Sequence, residues 1–316
     1  MKAVFVEQFG GVENLKYADI AKPAPAPGQA LVKIAASGVN YIDTYFRTGL
    51  YPAQPPVVLG SEGAGTVEAV APDVTNVKPG DRVAYAMARG SDAEYAVVPA
   101  WQLVKIPDSV DFNTAAAVIL QGMTAHYLSH STYPLKTGES CLIHAAAGGT
   151  GLLLVQMAKM RGARVIGTVG TEEKAKQAKD AGADEVVVYT KEDFTTRAKG
   201  MHVVYDSVGK ATFMQSLDCL RPRGLMVTFG NASGAVPDFP PLLLSQKGSL
   251  FLTRPSLAHY AATPEELAWR AGDVFNWVAQ GKLKVHIHKV YRFAEVAQAH
   301  RDLESRQTTG KLLLVP

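Results

Sequence analysis

The chain has 316 residues, 47% of them hydrophobic and 19% charged, with a formal net charge of +3 and only two cysteines. That length exceeds the usual single-domain range and predicts two domains with full cores. The small charge, dispersed apart from Lys174, Lys176 and Lys179, argues against a nucleic-acid binder, and no apolar run approaches the roughly 20 residues of a membrane helix. Cys141 and Cys219 have no metal-ligand spacing and read as buried thiols. No apolar h-region follows Met1-Lys2-Ala3-Val4-Phe5-Val6, which makes the cytoplasm the expected compartment.

Up to about Gly122, short β-rich runs at 30–34, 65–70, 82–86 and 95–98 are punctuated by Gly and Pro, the pattern of a barrel or sandwich. Pro23-Ala24-Pro25-Ala26-Pro27-Gly28 reads as a stiff connection between strands. From about Met123 to Tyr260 the texture changes to buried strands alternating with helices. Strands are expected at 140–145, 163–169, 185–189, 203–205, 225–229 and 249–252, with helices at 152–161 and 172–181, the latter ending at Gly182. Six strands separated by crossovers predict a doubly wound parallel sheet, an α/β Rossmann architecture. The remainder predicts a helix from Pro264 to about Gln280, a strand at 285–291, a helix at 294–305 and a strand at 311–315. That segment is too small for its own core. It is expected to pack on the first region, making 123–260 an insertion between 1–122 and 261–316.

The strand at 140–145 runs into Ala146-Ala147-Gly148-Gly149-Thr150-Gly151 and then directly into a helix, a variant of the dinucleotide fingerprint with Ala146 at the first glycine position. A side chain at Gly148 would block the backbone's approach to a pyrophosphate, and Gly151 lets the helix sit close to the strand. The helix start supplies open N–H groups and a positive dipole end. The second strand ends at Gly170-Thr171-Glu172-Glu173-Lys174, without the strand-end carboxylate that would bind the ribose 2′-hydroxyl of NAD. Lys174 in the first helical turn suits a 2′-phosphate, so NADP(H) is favoured, with Glu172 or Glu173 as the route by which NAD could still be served.

Two further stretches carry a resemblance. Gly60-Ser61-Glu62-Gly63-Ala64-Gly65-Thr66-Val67 resembles the Gly-His-Glu signature of medium-chain alcohol dehydrogenases, and Ala36-Ser37-Gly38-Val39-Asn40-Tyr41-Ile42-Asp43 their cysteine-bearing segment. Ser61 stands where the zinc-binding His is expected and Asn40 where the Cys is, and two cysteines cannot build a four-cysteine structural zinc lobe. No zinc site is expected. The rest of the chain is similar to the bacterial quinone oxidoreductase and zeta-crystallin branch of that family. The similarity is carried by Asn40-Tyr41-Ile42-Asp43-Thr44-Tyr45, Arg47-Thr48-Gly49-Leu50-Tyr51-Pro52, His144-Ala145-Ala146-Ala147-Gly148-Gly149 and Gly167-Thr168-Val169-Gly170-Thr171. Tyr205-Asp206-Ser207-Val208-Gly209, Phe229-Gly230-Asn231 and Thr253-Arg254-Pro255-Ser256 continue it. Gln121 departs from the lysine often found before Gly-x-Thr in relatives.

The resemblance implies a GroES-like catalytic domain with an inserted Rossmann domain, and a homodimer. It places Asn40, Tyr45 and Tyr51 along the cleft facing the nicotinamide and Thr124 beside the ring. Lys174, Tyr189 and Arg306 would surround the adenosine 2′-phosphate, and Ser207, Phe229, Gly230, Asn231 and Arg254 would follow the rest of the cofactor. Arg306 ends a helix, where a cation favours the dipole with or without a ligand. Without a Lewis-acid metal, an electron-poor acceptor such as a quinone or enone is the expected small-molecule substrate, needing only positioning and hydrogen bonds to the developing oxyanion. Asn40 through its amide and Tyr45 or Tyr51 through the phenol are the candidate donors. A structural or RNA-binding role of the zeta-crystallin kind is the alternative from another class, and the weak charge argues against RNA. His126 and His130 could share a helix face, and His286 and His288 one side of a strand, but neither pair forms a metal motif.

Overall fold

In the computed structural model, which describes residues 1–316, the opening apolar alternation forms β1 (Lys2–Val6), paired antiparallel with β2 (Leu15–Asp19). The proline-rich stretch forms no regular element and leads into the eleven-residue β3 (Gln29–Val39). Helix α1 (Tyr41–Thr48) follows at once, and it stops where Gly49 adopts a left-handed φ of 80°. Then come β4 (Val57–Val58), β5 (Glu62–Val70), β6 (Arg82–Ala86), β7 (Tyr95–Pro99), β8 (Val104–Lys105) and α2 (Phe112–Tyr127).

The next segment alternates strand and helix: β9 (Ser140–Ile143), α3 (Gly149–Met160), β10 (Arg164–Val169), α4 (Glu172–Asp180), β11 (Glu185–Val188) and α5 (Phe194–Arg197). It continues with β12 (Met201–Asp206), α6 (Phe213–Leu217), β13 (Leu220–Thr228), α7 (Leu242–Gln246), β14 (Phe251–Thr253) and α8 (Leu257–Tyr260). The six strands pair in parallel in the order β11-β10-β9-β12-β13-β14, so the sequence order reverses between β9 and β12. Leu142, Ile166, Val187, Val204 and Met226, one from each of five strands, are buried together with Phe194, Phe213 and Leu217 from the crossovers. Full burial of each such side chain stabilises the fold by roughly 1.5–3 kcal/mol before chain entropy is counted.

Three left-handed residues move strand ends from where periodicity places them. β9 stops before 145 because Ala145, at φ 51°, turns the chain toward α3. β13 begins at Leu220, ahead of the expected 225: Met201 pairs with Leu220, the chain bulges around Arg223 at φ 60°, and pairing resumes at Val203 with Leu225. The last strand begins at Phe251, after Ser249 at φ 55°.

The chain closes with α9 (Pro264–Ala279), β15 (Ile287–Arg292), α10 (Val296–Glu304) and β16 (Lys311–Val315). Thr263 caps α9 by accepting from the Glu266 N–H at 3.3 Å, with Pro264 at the first helical position. One compact unit comprises Met1–Met123 with Ala261–Pro316, and the other comprises Thr124–Tyr260. The first unit's large sheet runs β15-β16-β3-β5-β6-β8, with β7 also on β3. β3 exceeds the expected 30–34 because it has partners along its whole length: β5 opposite most of it, β7 opposite its first half, and β16 opposite Ser37, Gly38 and Val39. Val32, Val67, Val83, Val98, Leu312 and Leu314 share its core. His286 lies just before β15 rather than within it, and both His286 and His288 contact Thr309 Oγ1 at 3.2 Å. No helix is long and apolar enough to cross a membrane.

Candidate active site

In the second unit the expected cofactor residues, Thr124 apart, follow the carboxyl ends of the parallel strands. Ala147–Gly151 come after β9, Gly170, Thr171 and Lys174 after β10, Tyr189 after β11, Ser207 after β12, Phe229–Asn231 after β13, and Arg254 after β14. In open α/β sheets this edge, at the point where strand order reverses, is where ligands bind. Thr124, the first residue of this unit, is buried within α2.

Gly148 precedes α3 in extended backbone and its carbonyl accepts the Leu152 N–H at 2.9 Å. The N–H groups of Gly149, Thr150 and Gly151 therefore lie ahead of the helix's own ladder, available to an anion. The two key glycines differ. A Cβ on Gly151 would lie 2.3 Å from the Ala145 carbonyl oxygen and 2.9 Å from the Ala146 Cα, whereas one on Gly148 would meet only the Ala145 oxygen, at 3.2 Å. Gly151 permits helix-on-strand packing, and Gly148 leaves a cradle that a side chain would fill. Just after β9 the buried His144 joins Thr168 Oγ1 and Ser216 Oγ, each at 2.8 Å, and burial holds its imidazole below the ordinary histidine range.

Thr171 caps α4 through its hydroxyl, which accepts from Lys174 N at 3.3 Å. The Lys174 side chain is half-buried, and this burial lowers its pKa, so an anion beside it would restore favourable surroundings to the ammonium. Glu172 is turned to Lys191, 2.8 Å away on the surface, while Glu173 is held low by its own backbone N–H and the Thr171 hydroxyl. Tyr189 is half-exposed and stands over Gly170, its hydroxyl 2.9 Å from where a Cβ there would lie. Farther along the edge, Gly230 packs so closely that a Cβ would be 2.3 Å from the Ser207 carbonyl oxygen. Arg254 donates to Gly230 O at 3.0 Å and to Thr228 Oγ1 at 3.2 Å, and Asn231, in the amide orientation that satisfies its neighbours, accepts from the same guanidinium. Arg306 belongs to the first unit. It lies beyond the end of α10 in left-handed backbone (φ 58°) rather than closing the helix.

The first unit brings Asn40, Tyr45 and Tyr51 together around α1. Tyr45 is nearly buried, its ring centroid 5.1 Å from that of the half-buried Tyr51, and Tyr51 N donates to the Tyr45 carbonyl at 3.1 Å. Asn40 differs from expectation. Its amide nitrogen donates to Gly38 O at 2.9 Å and Glu62 Oε2 at 2.8 Å, and its amide oxygen accepts from Lys311 Nζ at 2.7 Å and Gln121 Nε2 at 3.2 Å. Both amide hydrogens and both lone pairs are used inside the protein, so Asn40 has no donor left for an acceptor molecule. Its backbone N–H is taken by Asp43 Oδ2 at 2.8 Å, and the other Asp43 oxygen accepts from Ser61 at 2.7 Å.

Around this hub lies a buried polar network in which Glu62, Lys311, Asp43 and Asp92 are each at most 1% exposed. Burial pushes the Asp43 carboxyl up to about 6 against the Ser61 and Asn40 bonds, and burial with the nearby Asp43 pushes Asp92 up to about 8. Lys311, Asp92 and the part played by Glu62 leave no local trace in the sequence. Glu62 stands in the quoted motif beside Ser61, but its partner Lys311 is 249 positions away, and no local pattern relates them. Gln121 shares the hub through its nitrogen, while its buried amide oxygen has no protein partner.

A β-rich unit interrupted in sequence by a six-stranded parallel Rossmann sheet defines a medium-chain dehydrogenase/reductase. Residues 26–108 match the alcohol dehydrogenase GroES-like domain and residues 181–314 the zinc-binding dehydrogenase family. The chain is 48% identical to a quinone oxidoreductase of Pseudomonas aeruginosa, covering 100% of this chain and 99% of the relative. It is 40% identical to a 2-haloacrylate reductase of a Burkholderia species over 99% of the chain and 98% of the relative. The solved structure of Escherichia coli quinone oxidoreductase complexed with NADPH superposes with a TM-score of 0.98 at 43% identity, covering 100% of both chains. The chain belongs to the quinone oxidoreductase family of medium-chain dehydrogenases/reductases.

Proposed function

We propose that the chain is an NADPH-dependent quinone oxidoreductase that works without zinc. The observation that carries this reading is the row of cofactor residues along the carboxyl edge of the sheet, with the open Gly148 cradle at one strand end and Lys174 at the next. Both features fit a dinucleotide bearing a 2′-phosphate. The α3 amides hold the pyrophosphate, Lys174 with Tyr189 holds the 2′-phosphate, and Arg254 keeps the Gly230–Asn231 turn in place.

When bound, NADPH supplies the hydride. A hydride and one proton take a quinone to a hydroquinone. With the Asn40 amide used internally, the phenols of Tyr45 and Tyr51 are the donors toward the developing oxyanion. Asn40 and Ser61 supply neither thiolate nor imidazole at the positions that match zinc ligands, and no group of three or more His, Cys, Asp or Glu is arranged to hold a metal. His126 and His130 do stack, at 4.4 Å between ring centroids, but they stand without a third ligand. In this reading the enzyme is cytoplasmic and a homodimer.

Reduction of an electron-poor alkene is the second reading, favoured by the similarity to a 2-haloacrylate reductase. Initial rates of NADPH oxidation with a panel of p-quinones and of enals test both. Turnover on quinones at least tenfold more efficient than on enals is the expected result. The reverse ranking would replace the first reading with the second, and no oxidation with either class would remove the enzymatic reading.

A further inference from the structure

Lys311 is a charged side chain with 1% exposure, and its only ion-pair partner is the fully buried Glu62, Nζ to Oε2 2.5 Å. Isolated buried charges are costly, and a buried pair holds only where the remaining polar atoms also find partners. Here they do. Lys311 also donates to Asn40 Oδ1 at 2.7 Å, Glu62 Oε2 also accepts from Asn40 Nδ2, and Glu62 Oε1 accepts the Leu120 N–H at 2.6 Å. The backbone is shaped around the pair: a Cβ on Gly38 would lie 2.3 Å from Glu62 Oε2 and 2.7 Å from both Lys311 Cε and the Ala116 carbonyl oxygen. Lys311 gets there because β16 runs antiparallel to β3, Leu312 opposite Val39 at the point where the chain leaves β3 for Asn40 and α1.

We infer that Lys311 is the positioning residue of the reaction: its buried ammonium does for Asn40 and the start of α1 what a bound cation does for its ligands, and so fixes the Tyr45–Tyr51 pair. Asn40 stands at the position that matches a metal-binding cysteine, and one of its strong contacts is this ammonium. Asp43, which holds the Asn40 N–H, and Asp92 both lie within reach of the same charge, which draws their raised carboxyls back down. Lys311 thus acts through Asn40 and Glu62 on the helix that carries Tyr45. Its effect on turnover rests on the quinone-reductase reading, whereas its effect on the helix does not.

The test uses the full-length protein. Lys311→Met alone leaves the Glu62 carboxylate buried without a cation and can abolish folding. The informative variant is Lys311→Met/Glu62→Gln, which removes both charges at similar volume. Hydrogen exchange of the peptide spanning residues 40–51 is expected to quicken at least tenfold. kcat for a p-quinone is expected to fall about 10- to 100-fold, the scale of a displaced positioning element. The dissociation constant for NADPH, measured by fluorescence titration, stays within twofold, which a general loss of structure would not allow. Unchanged exchange at 40–51 would overturn the inference, as would faster exchange with wild-type kcat. If the wild-type protein reduces no quinone but the helix still loosens in the variant, the functional reading fails while the placement of Lys311 as organiser of α1 stands.

Discussion

Ser61 donates its hydroxyl to Asp43 across 2.7 Å in the interior of the first unit, at the position where zinc-dependent relatives would carry a histidine. The hydroxyl is part of the bonding that holds the entry to α1, so this position is a structural joint here. Elemental analysis of purified protein is therefore expected to find well under one zinc per chain, and exhaustive treatment with a chelator should leave NADPH-dependent turnover unchanged. One tightly held zinc per chain would contradict this.

Lys174 reads the 2′-phosphate in the proposed complex. Lys174→Ala is expected to weaken NADPH binding roughly 10- to 100-fold, corresponding to about 1.5–3 kcal/mol for charge-assisted hydrogen bonds, with NADH affinity barely altered. Titration of both dinucleotides against both proteins checks it. Equal losses for the two would mean that Lys174 serves something other than the phosphate.

The two glycines of the turn are expected to fail in different ways. Gly151→Ala forces a methyl against backbone at 2.3 Å, and Tm should fall by roughly 5–10 °C, the scale of an overpacked core site. Gly148→Ala meets a single atom at 3.2 Å, so Tm should move by no more than about 2 °C while NADPH affinity falls at least tenfold. Differential scanning calorimetry alongside cofactor titration separates the two. Equal thermal losses would show that Gly148 serves packing as well.

Asp92 gives the protein a pH-dependent cost. Burial and the neighbouring Asp43 raise its carboxyl to about 8 from an ordinary value of 3.8, so between those limits the folded protein keeps a proton that the unfolded chain has released. Stability contributed by this group therefore falls as pH rises from about 4 to about 8. Asp92→Asn removes that slope. The urea midpoint of the variant, relative to wild type, should move upward between pH 5 and pH 8. His300, held down to about 3 by burial and Arg47, acts in the opposite direction below its ordinary range but is present in both proteins and cancels in the comparison. A difference that does not change with pH would show that Asp92 is ionised in the fold.

Much of this is legible in the amino-acid sequence alone. The six parallel strands, the Gly148–Gly151 turn and the missing strand-end acid at Gly170 are local signals, written within stretches of about ten residues by side-chain period and by the backbone freedom of glycine. The loss of zinc ligands was legible for a still simpler reason, since asparagine and serine at positions 40 and 61 cannot supply the thiolate and imidazole the metal needs. Strand ends were less so, because Ala145, Arg223 and Ser249 take left-handed backbone that their side chains do not announce.

By itself the sequence determined the α/β class with its six parallel strands, the glycine-rich turn between β9 and α3, and the asparagine and serine at positions 40 and 61, because those depend on residue type and short spacing. Only the tertiary structure decided what Asn40 does. Its amide looks like a free donor until Glu62, Gln121 and Lys311 arrive from β5, α2 and β16 and, with the Gly38 carbonyl, use every hydrogen and lone pair. A hydrogen bond forms between atoms about 3 Å apart whatever their separation along the chain, and Glu62 and Lys311, 249 positions apart in sequence, meet only once β5 and β16 are both laid against β3.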